Sequence, residues 1–213
     1  MDVSYWECHS FQSLGAMGSR RYQDPNLACR PFDQARDGFI FGEACGAVVI
    51  ERAESRQRTK QPYARLTGYG MVMDANRNPN PCYEGEKKAI EKALHSAGLT
   101  AQAIDYINPH GTGSMLGDET EVRAIKDSQL AHAYINTTKS IIGHGLTAAG
   151  TVEVIATLMQ MQTGCLHPSL NLEQPIDNDC QWVKQATKHR INNALTLSMG
   201  FGGINTALCL QCY

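Results

Sequence analysis

The stretch Tyr106-Ile107-Asn108-Pro109-His110-Gly111-Thr112-Gly113-Ser114 reads as a short strand running into a glycine- and threonine-rich turn. A helix is expected beyond it, over residues 118–130. The same grammar recurs downstream, where Tyr134-Ile135-Asn136-Thr137 is strand-like and a glycine-rich turn around His144 opens an apolar helix over residues 147–162. Val152, Ile155, Ala156 and Met159 fall at helical spacing and predict its packed stripe. Residues 194–210 read as two strands joined through Gly200-Phe201-Gly202-Gly203. Upstream, residues 63–73 predict a strand and residues 85–97 a helix, with Ala89, Ile90, Ala93, Leu94 and Ala97 on one face and Gly98 as its stop. The small and β-branched run at residues 44–50 predicts a further buried strand, ended by the charged residues 51–60, and residues 1–30 read as a helix and loop. Strands alternating with helices imply an α/β layer with a largely parallel sheet. In such layers ligands bind in the loops beyond the strand ends, where His110, His144 and Phe201 fall.

The 213 residues suffice to bury a core, and a formal net charge of -2 gives no general attraction for nucleic acid or an anionic membrane. No apolar run approaches the ~20 residues of a membrane span. The first residues lack the basic-then-apolar pattern of a secretory signal, so the cytoplasm is the expected setting, and Met1 fits a true start. The eight scattered cysteines are therefore read as free thiols. Only Cys209 and Cys212 form a Cys-x-x-Cys, and they follow a strand rather than opening a helix, which argues against a redox dithiol or zinc site. Zinc hydrolysis through His110, His132 and His144 is likewise not supported, because their contexts lack ligand spacing. His9, His95, His132, His167 and His189 carry no motif.

Two histidines in glycine- and threonine-rich turns, with no run of charged ligands around them, suit a developing oxyanion. A neutral imidazole donates one hydrogen bond, and two aimed at one point can hold an enolate. Taken singly, each histidine also has a structural reading, with its ring satisfied by backbone carbonyls.

His110-Gly111-Thr112-Gly113-Ser114, with Gly117-Asp118 and Glu121 after it, resembles the His-Gly-Thr-x-Thr, Gly-Asp and Glu pattern of β-ketoacyl synthases of the thiolase superfamily. Lys139-Ser140-Ile141-Ile142-Gly143-His144 with Ala148-Ala149-Gly150 is similar to the family's Lys-Ser-x-x-Gly-His and Ala-Ala-Gly, and Gly200-Phe201-Gly202-Gly203-Ile204-Asn205 to its Gly-Phe-Gly-Gly-Thr-Asn. The stretch at residues 30–51, with Arg36-Asp37-Gly38-Phe39 and Gly42-Glu43, extends the resemblance over nearly the whole chain. Gly143-His144-Gly145 and Ser198-Met199 differ from thiolases, which carry Gly-His-Pro and a second cysteine in the last loop; Gly143-His144-Gly145-Leu146 resembles ketosynthases of trans-acyltransferase polyketide pathways. Gly113, Ser114 and Ile204 depart from the family pattern at positions that bear on pantetheine contact.

The resemblance implies a thiolase-like fold. Residues 1–61 would end the N-terminal half, and residues 62–213 would form the C-terminal half, a mixed, largely parallel five-stranded sheet with helices on both faces. It implies that His110 and His144 hold the thioester oxygen of malonyl-carrier protein during decarboxylation and Claisen condensation, in polyketide or fatty acid synthesis. Lys139 would pair with Glu121 behind His144. Thr112 and Ser114 would hold the phosphopantetheine arm, and Phe201 would gate the acyl tunnel and supply its backbone N–H to the oxyanion hole, with Gly200, Gly202 and Gly203 letting the backbone approach. No bound cofactor or metal is implied beyond the phosphopantetheine of an acyl carrier protein.

The family's nucleophilic cysteine, at a strand-to-helix elbow in the first half, has no counterpart here, and Cys45 lies in the predicted strand well after it. The chain is therefore expected to be one subunit of a split ketosynthase, in a heterodimer or dimer of heterodimers with a chain that carries the nucleophile, and inactive alone. A truncated enzyme gives the same sequence. A decarboxylase-only homologue and a non-catalytic chain-length-factor-like scaffold are the alternatives, the latter disfavoured by the presence of both histidines.

Overall fold

The computed structural model describes residues 4–54, 60–76 and 79–213. Met1 and residues 55–59 of the charged stretch lie outside the described residues. Helix α1 (Tyr5–Ser13) opens on a capping box, in which the Ser4 hydroxyl accepts from the Glu7 amide and the Glu7 carboxylate accepts from the Ser4 amide. There follow β1 (Arg65–Met73), α2 (Tyr83–Ala97), β2 (Tyr106–Asn108), α3 (Met115–Asp127), β3 (Tyr134–Ile135), α4 (Lys139–Ile142), α5 (Ala149–Thr163), β4 (Cys165–Leu166), β5 (Gln181–Trp182), β6 (Thr187–Lys188), β7 (Asn193–Gly200) and β8 (Ile204–Gln211).

The main sheet runs β1-β8-β7-β2-β3-β5. It has six strands where five were expected, the sixth being the two-residue edge strand β5. Strands β7, β2, β3 and β5 pair in parallel, while β8 is antiparallel to both β7 and β1. Alternation along the strands sends successive side chains to opposite faces. Ile107, Leu195 and Cys209 join the core under α2 and α3, and their neighbours Tyr106, Ala194 and Leu210 join the core under α5.

Close approach of α2 is set by glycine. A Cβ on Gly70 would stand 2.0 Å from the Ala89 carbonyl oxygen, and one on Gly68 would stand 2.4 Å from that of Ala93. Two alanines facing two glycines let this helix lie directly on β1. Gly98 ends it in the left-handed conformation, at φ 65°.

Two expectations fail. Residues 44–50 form no strand, and Val49 and Ile50 are 88% and 76% exposed. In α5 the buried positions include the polar Glu153, Thr157 and Gln160 beside Ala149 and Met161, while Met159 of the expected packed stripe is exposed and Val152, Ile155 and Ala156 are only half-buried. The 44–50 segment lies against Val152 and Ile155, where a Cβ on Gly46 would stand 3.4 Å and 3.0 Å from them, but its own Val49 and Ile50 and the Met159 side chain stay exposed. Tyr69, Met71 and Met73 on the face of β1 away from α2 are exposed as well. No helix among the described residues is long and apolar enough to cross a membrane.

Candidate active site

Three loops meet beyond the ends of β2, β3 and β7. The first carries His110 and turns at Gly111, where φ is 42° and a Cβ would press to 2.7 Å from both Phe32 and Thr137. Two carboxylates from α3 hold its backbone. Glu121 accepts from the amides of His110 (2.6 Å) and Gly111 (2.8 Å). Asp118 accepts from Thr112 and Gly113, each at 3.1 Å, and from Phe32 at 2.6 Å, with Arg36 Nε 3.5 Å away. Both acids are buried, and burial pushes Asp118 up to about 6 and Glu121 up to about 8, against the pull of these amides.

The second loop carries His144, whose backbone is stitched to the 40–42 segment. The His144 amide donates to the Ile40 carbonyl at 2.8 Å, and the Gly42 amide donates to the His144 carbonyl at 3.1 Å. Here too glycine is required, since a Cβ on Gly42 would stand 2.1 Å from the Ile142 carbonyl oxygen. The Phe39 ring meets the His144 ring edge-on at 5.4 Å.

The two imidazoles stand 5.3 Å apart, centroid to centroid, at 81° to one another. Each is fixed in the same tautomer. The Leu146 amide donates to Nδ1 of His144 at 3.2 Å, so the ring proton is on Nε2. Lys139 Nζ lies 3.3 Å from Nδ1 of His110, and since an ammonium can only donate, that ring too carries its proton on Nε2. Burial, followed by the Lys139 charge, lowers His144 to about 3, and the same causes with a contribution from His144 hold His110 well below the usual imidazole range. Both rings are neutral, single-donor groups at physiological pH.

Lys139 does not pair with Glu121. Its ammonium meets Glu153 of α5 and the His110 carbonyl, both residues of the pair being 2% exposed. Glu121 is spent on the loop amides instead, and an acid on the helix across the sheet end replaces it as the ion-pair partner. Sequence reading missed Glu153, whose only signal is that it is the one acid of α5, flanked by Val152, Val154 and Ile155.

The histidines open into a cavity of about 610 Å³, within the range of small-molecule sites. Thr112, Ser114, Glu121 and Phe201 of the expected site line it with them, while Lys139 stands behind the wall and Gly202 is turned away to solvent. The hydroxyl oxygens of Thr112 and Ser114 accept from the amides of Ser114 and Gly117, leaving each hydroxyl hydrogen to donate. Phe201 is 53% exposed at the rim, 6.3 Å from the Phe11 ring. Its loop is pinned by Asp74, whose amide donates to the Gly203 carbonyl at 2.9 Å.

The pattern of the β-ketoacyl synthase C-terminal domain matches residues 63–173, and that of the N-terminal domain matches residues 1–56. The chain belongs to the β-ketoacyl synthase family. Its thiolase-like architecture agrees with that of solved ketosynthases. A type II polyketide ketosynthase, described as bound to a hexaketide and in complex with its acyl-carrier protein, superposes with a TM-score of 0.93 at 32% identity, over all of this chain and 54% of that one. The ishigamide ketosynthase/chain length factor superposes at 0.90 with 31% identity, over 52% of that chain. Among curated relatives, the polyketide biosynthesis malonyl-ACP decarboxylase PksF of Bacillus subtilis (strain 168) is 58% identical over 99% of this chain and 52% of its own length. The putative mitochondrial 3-oxoacyl-[acyl-carrier-protein] synthase of Schizosaccharomyces pombe is 37% identical over 94% of this chain and 50% of its own. This family member thus spans about half the length of the curated relatives it matches.

Among the described cysteines of this synthase-family chain, Cys82 lines the cavity, but it caps α2 after a loop rather than standing at a strand-to-helix elbow. Cys45 is exposed on the extended 44–50 segment. In Cys209, burial inside β8 pushes the thiol up to about 11, the reverse of a redox thiol.

Proposed function

We propose that this chain contributes the decarboxylating part of a malonyl-thioester site, with His110 and His144 as the donors to the thioester oxygen. The observation that carries the reading is the pair of neutral imidazoles in one tautomer, 5.3 Å apart, lining one cavity. In the proposed reaction the bond between the malonyl α-carbon and its carboxylate breaks. Its electron pair moves into the thioester as an enolate, and carbon dioxide leaves. Two neutral Nε2–H donors stabilise the enolate oxygen by hydrogen bonding, the depressed pKa of each imidazolium keeping both rings neutral before the step. Proton capture at carbon then yields the acetyl thioester. Lys139 and Glu153 act as positioning residues, and Thr112 and Ser114 donate to the phosphopantetheine arm of an acyl carrier protein.

Decarboxylation without condensation is favoured over full condensation by the 58% identity to a protein named malonyl-ACP decarboxylase. Condensation is the second reading, supported by the relatives named 3-oxoacyl synthases, and it needs a nucleophile from outside this chain.

The exposed apolar surfaces of the 44–50 segment, β1 and α5 support a partner. We assign them to a second thiolase-like half that supplies the nucleophile position and closes the cavity, in a cytoplasmic heterodimer. The test is malonyl-carrier protein turnover by this chain assembled with such a half. Carbon dioxide release lost in His110→Ala and in His144→Ala supports the reading, and unchanged release points to a scaffold.

A further inference from the structure

Glu86 sits in the first turns of α2, in the wall of the same cavity, and neither the proposed chemistry nor the family motifs use it. It is 1% exposed, and its Oε2 is a buried oxygen without a hydrogen-bond partner. Leaving such a group orphaned costs about 1–3 kcal/mol. A buried polar atom of this kind in a ligand cavity calls for a partner that arrives with the ligand.

The surroundings say what that partner is. Burial, with the nearby charges of Glu121, Asp74 and Asp118, pushes the Glu86 carboxyl up to about 9, so it is a neutral acid at physiological pH. A neutral carboxyl both donates and accepts. The charges of Asp74 and Asp118 repel an anion, so the malonyl carboxylate is unwelcome on this side. Close packing also fixes the helix turn that presents Glu86, since a Cβ on Gly85 would meet Asn205 Nδ2 at 2.5 Å, and Asn205 in turn donates to Asp74 at 2.9 Å. What remains is an uncharged group with its own donor and acceptor, and the thioester arm of the proposed substrate carries such groups as secondary amides.

We propose that Glu86 is a substrate-binding residue whose neutral carboxyl takes a hydrogen bond to an amide of the pantetheine arm. This rests on the thioester reading of the cavity. It places the arm along the α2 wall and leaves the malonyl end to the histidines.

The experiment titrates pantetheine into the chain and into two variants. Glu86→Gln keeps a neutral donor and acceptor and is expected to bind within about twofold of the parent; Glu86→Leu is expected to bind roughly tenfold more weakly, the worth of one such hydrogen bond. Binding by Glu86→Leu equal to the parent, or no binding by the parent, overturns the proposal. Thermal unfolding of each variant separates lost binding from lost folding. A second arm compares malonyl-pantetheine with an S-ethyl malonyl thioester, which has no amide, in the assembled enzyme. Selective loss on malonyl-pantetheine supports the assignment, and equal loss on both overturns it. A parent that binds pantetheine but decarboxylates neither thioester sinks the decarboxylase reading and leaves the Glu86 contact standing.

Discussion

Lys139 Nζ stands 3.3 Å from His110 Nδ1 while its charge is met by Glu153, so one buried cation fixes the tautomer of a ring it does not neutralise. The ammonium also lowers the proton affinity of both imidazoles.

Breaking that pair is expected to be costly from either side. Lys139→Met leaves Glu153 buried and uncompensated, for which about 3–5 kcal/mol is typical. The double variant Lys139→Met with Glu153→Gln should recover most of that loss in a urea titration, since both charges are then gone. In the assembled enzyme it should not recover turnover, because Nδ1 of His110 no longer has its donor. A double variant with full turnover would remove Lys139 from the positioning role.

For the histidines, loss of one donor to a developing oxyanion typically costs about a hundred- to thousandfold in rate. His110→Ala and His144→Ala are each expected to show that loss in malonyl decarboxylation, with the double variant far less than the product of the two, because the donors act on one oxygen. Multiplicative losses would mean that they serve different atoms.

Asp118→Asn is expected to loosen the first loop. A single amide oxygen cannot serve the Phe32, Thr112 and Gly113 amides that the carboxylate now receives. About 1–3 kcal/mol is expected for each buried group left orphaned. Hydrogen exchange at Thr112 and Gly113 should quicken before global unfolding, and unchanged protection there would contradict this account of the loop.

Stability should fall on both sides of neutrality. Glu121 and Glu86, raised to about 8 and about 9 from 4.5, hold protons that the unfolded chain releases. Their contribution is complete below about 4.5 and is lost as pH rises through about 8 and 9. His144, lowered to about 3 from 6.5, contributes fully above about 6.5, and that stability is lost as pH falls towards about 3. Denaturation midpoints followed from neutral to alkaline pH should decline in the parent and flatten in Glu86→Gln. An equal decline in both would show that Glu86 is already ionised at neutral pH.

The fold was legible where the pattern is local. Gly98 stops α2 where expected, and the strand pair around Gly200 through Gly203 forms as read, because turn glycines and alternating strands need only their neighbours. What the pattern could not reveal was the direction in which apolar residues face. Residues 44–50 and the Val152–Met159 stripe carry the periodicity of buried elements, yet Val49, Ile50 and Met159 stay exposed among the described residues, and hydrophobic periodicity says nothing about which chain supplies the cover. In the site, His110 and His144 were found from their glycine-rich settings. The partner of Lys139 was not, because Glu121 and Glu153 both lie within reach in sequence and only the packing of α5 decides between them. Glu86 had no signal at all, being one of several charges at the start of an amphipathic helix.

The 30–42 segment has a practical consequence for anyone taking the molecule apart. It is bolted to the imidazole loops by the Phe32 amide to Asp118, Gly38 to Gly113 and Gly42 to His144. Fragment complementation should therefore succeed when the cut falls ahead of residue 30, and fail when it falls between residues 43 and 63, where the downstream piece loses its strap and its two rings lose their bearing.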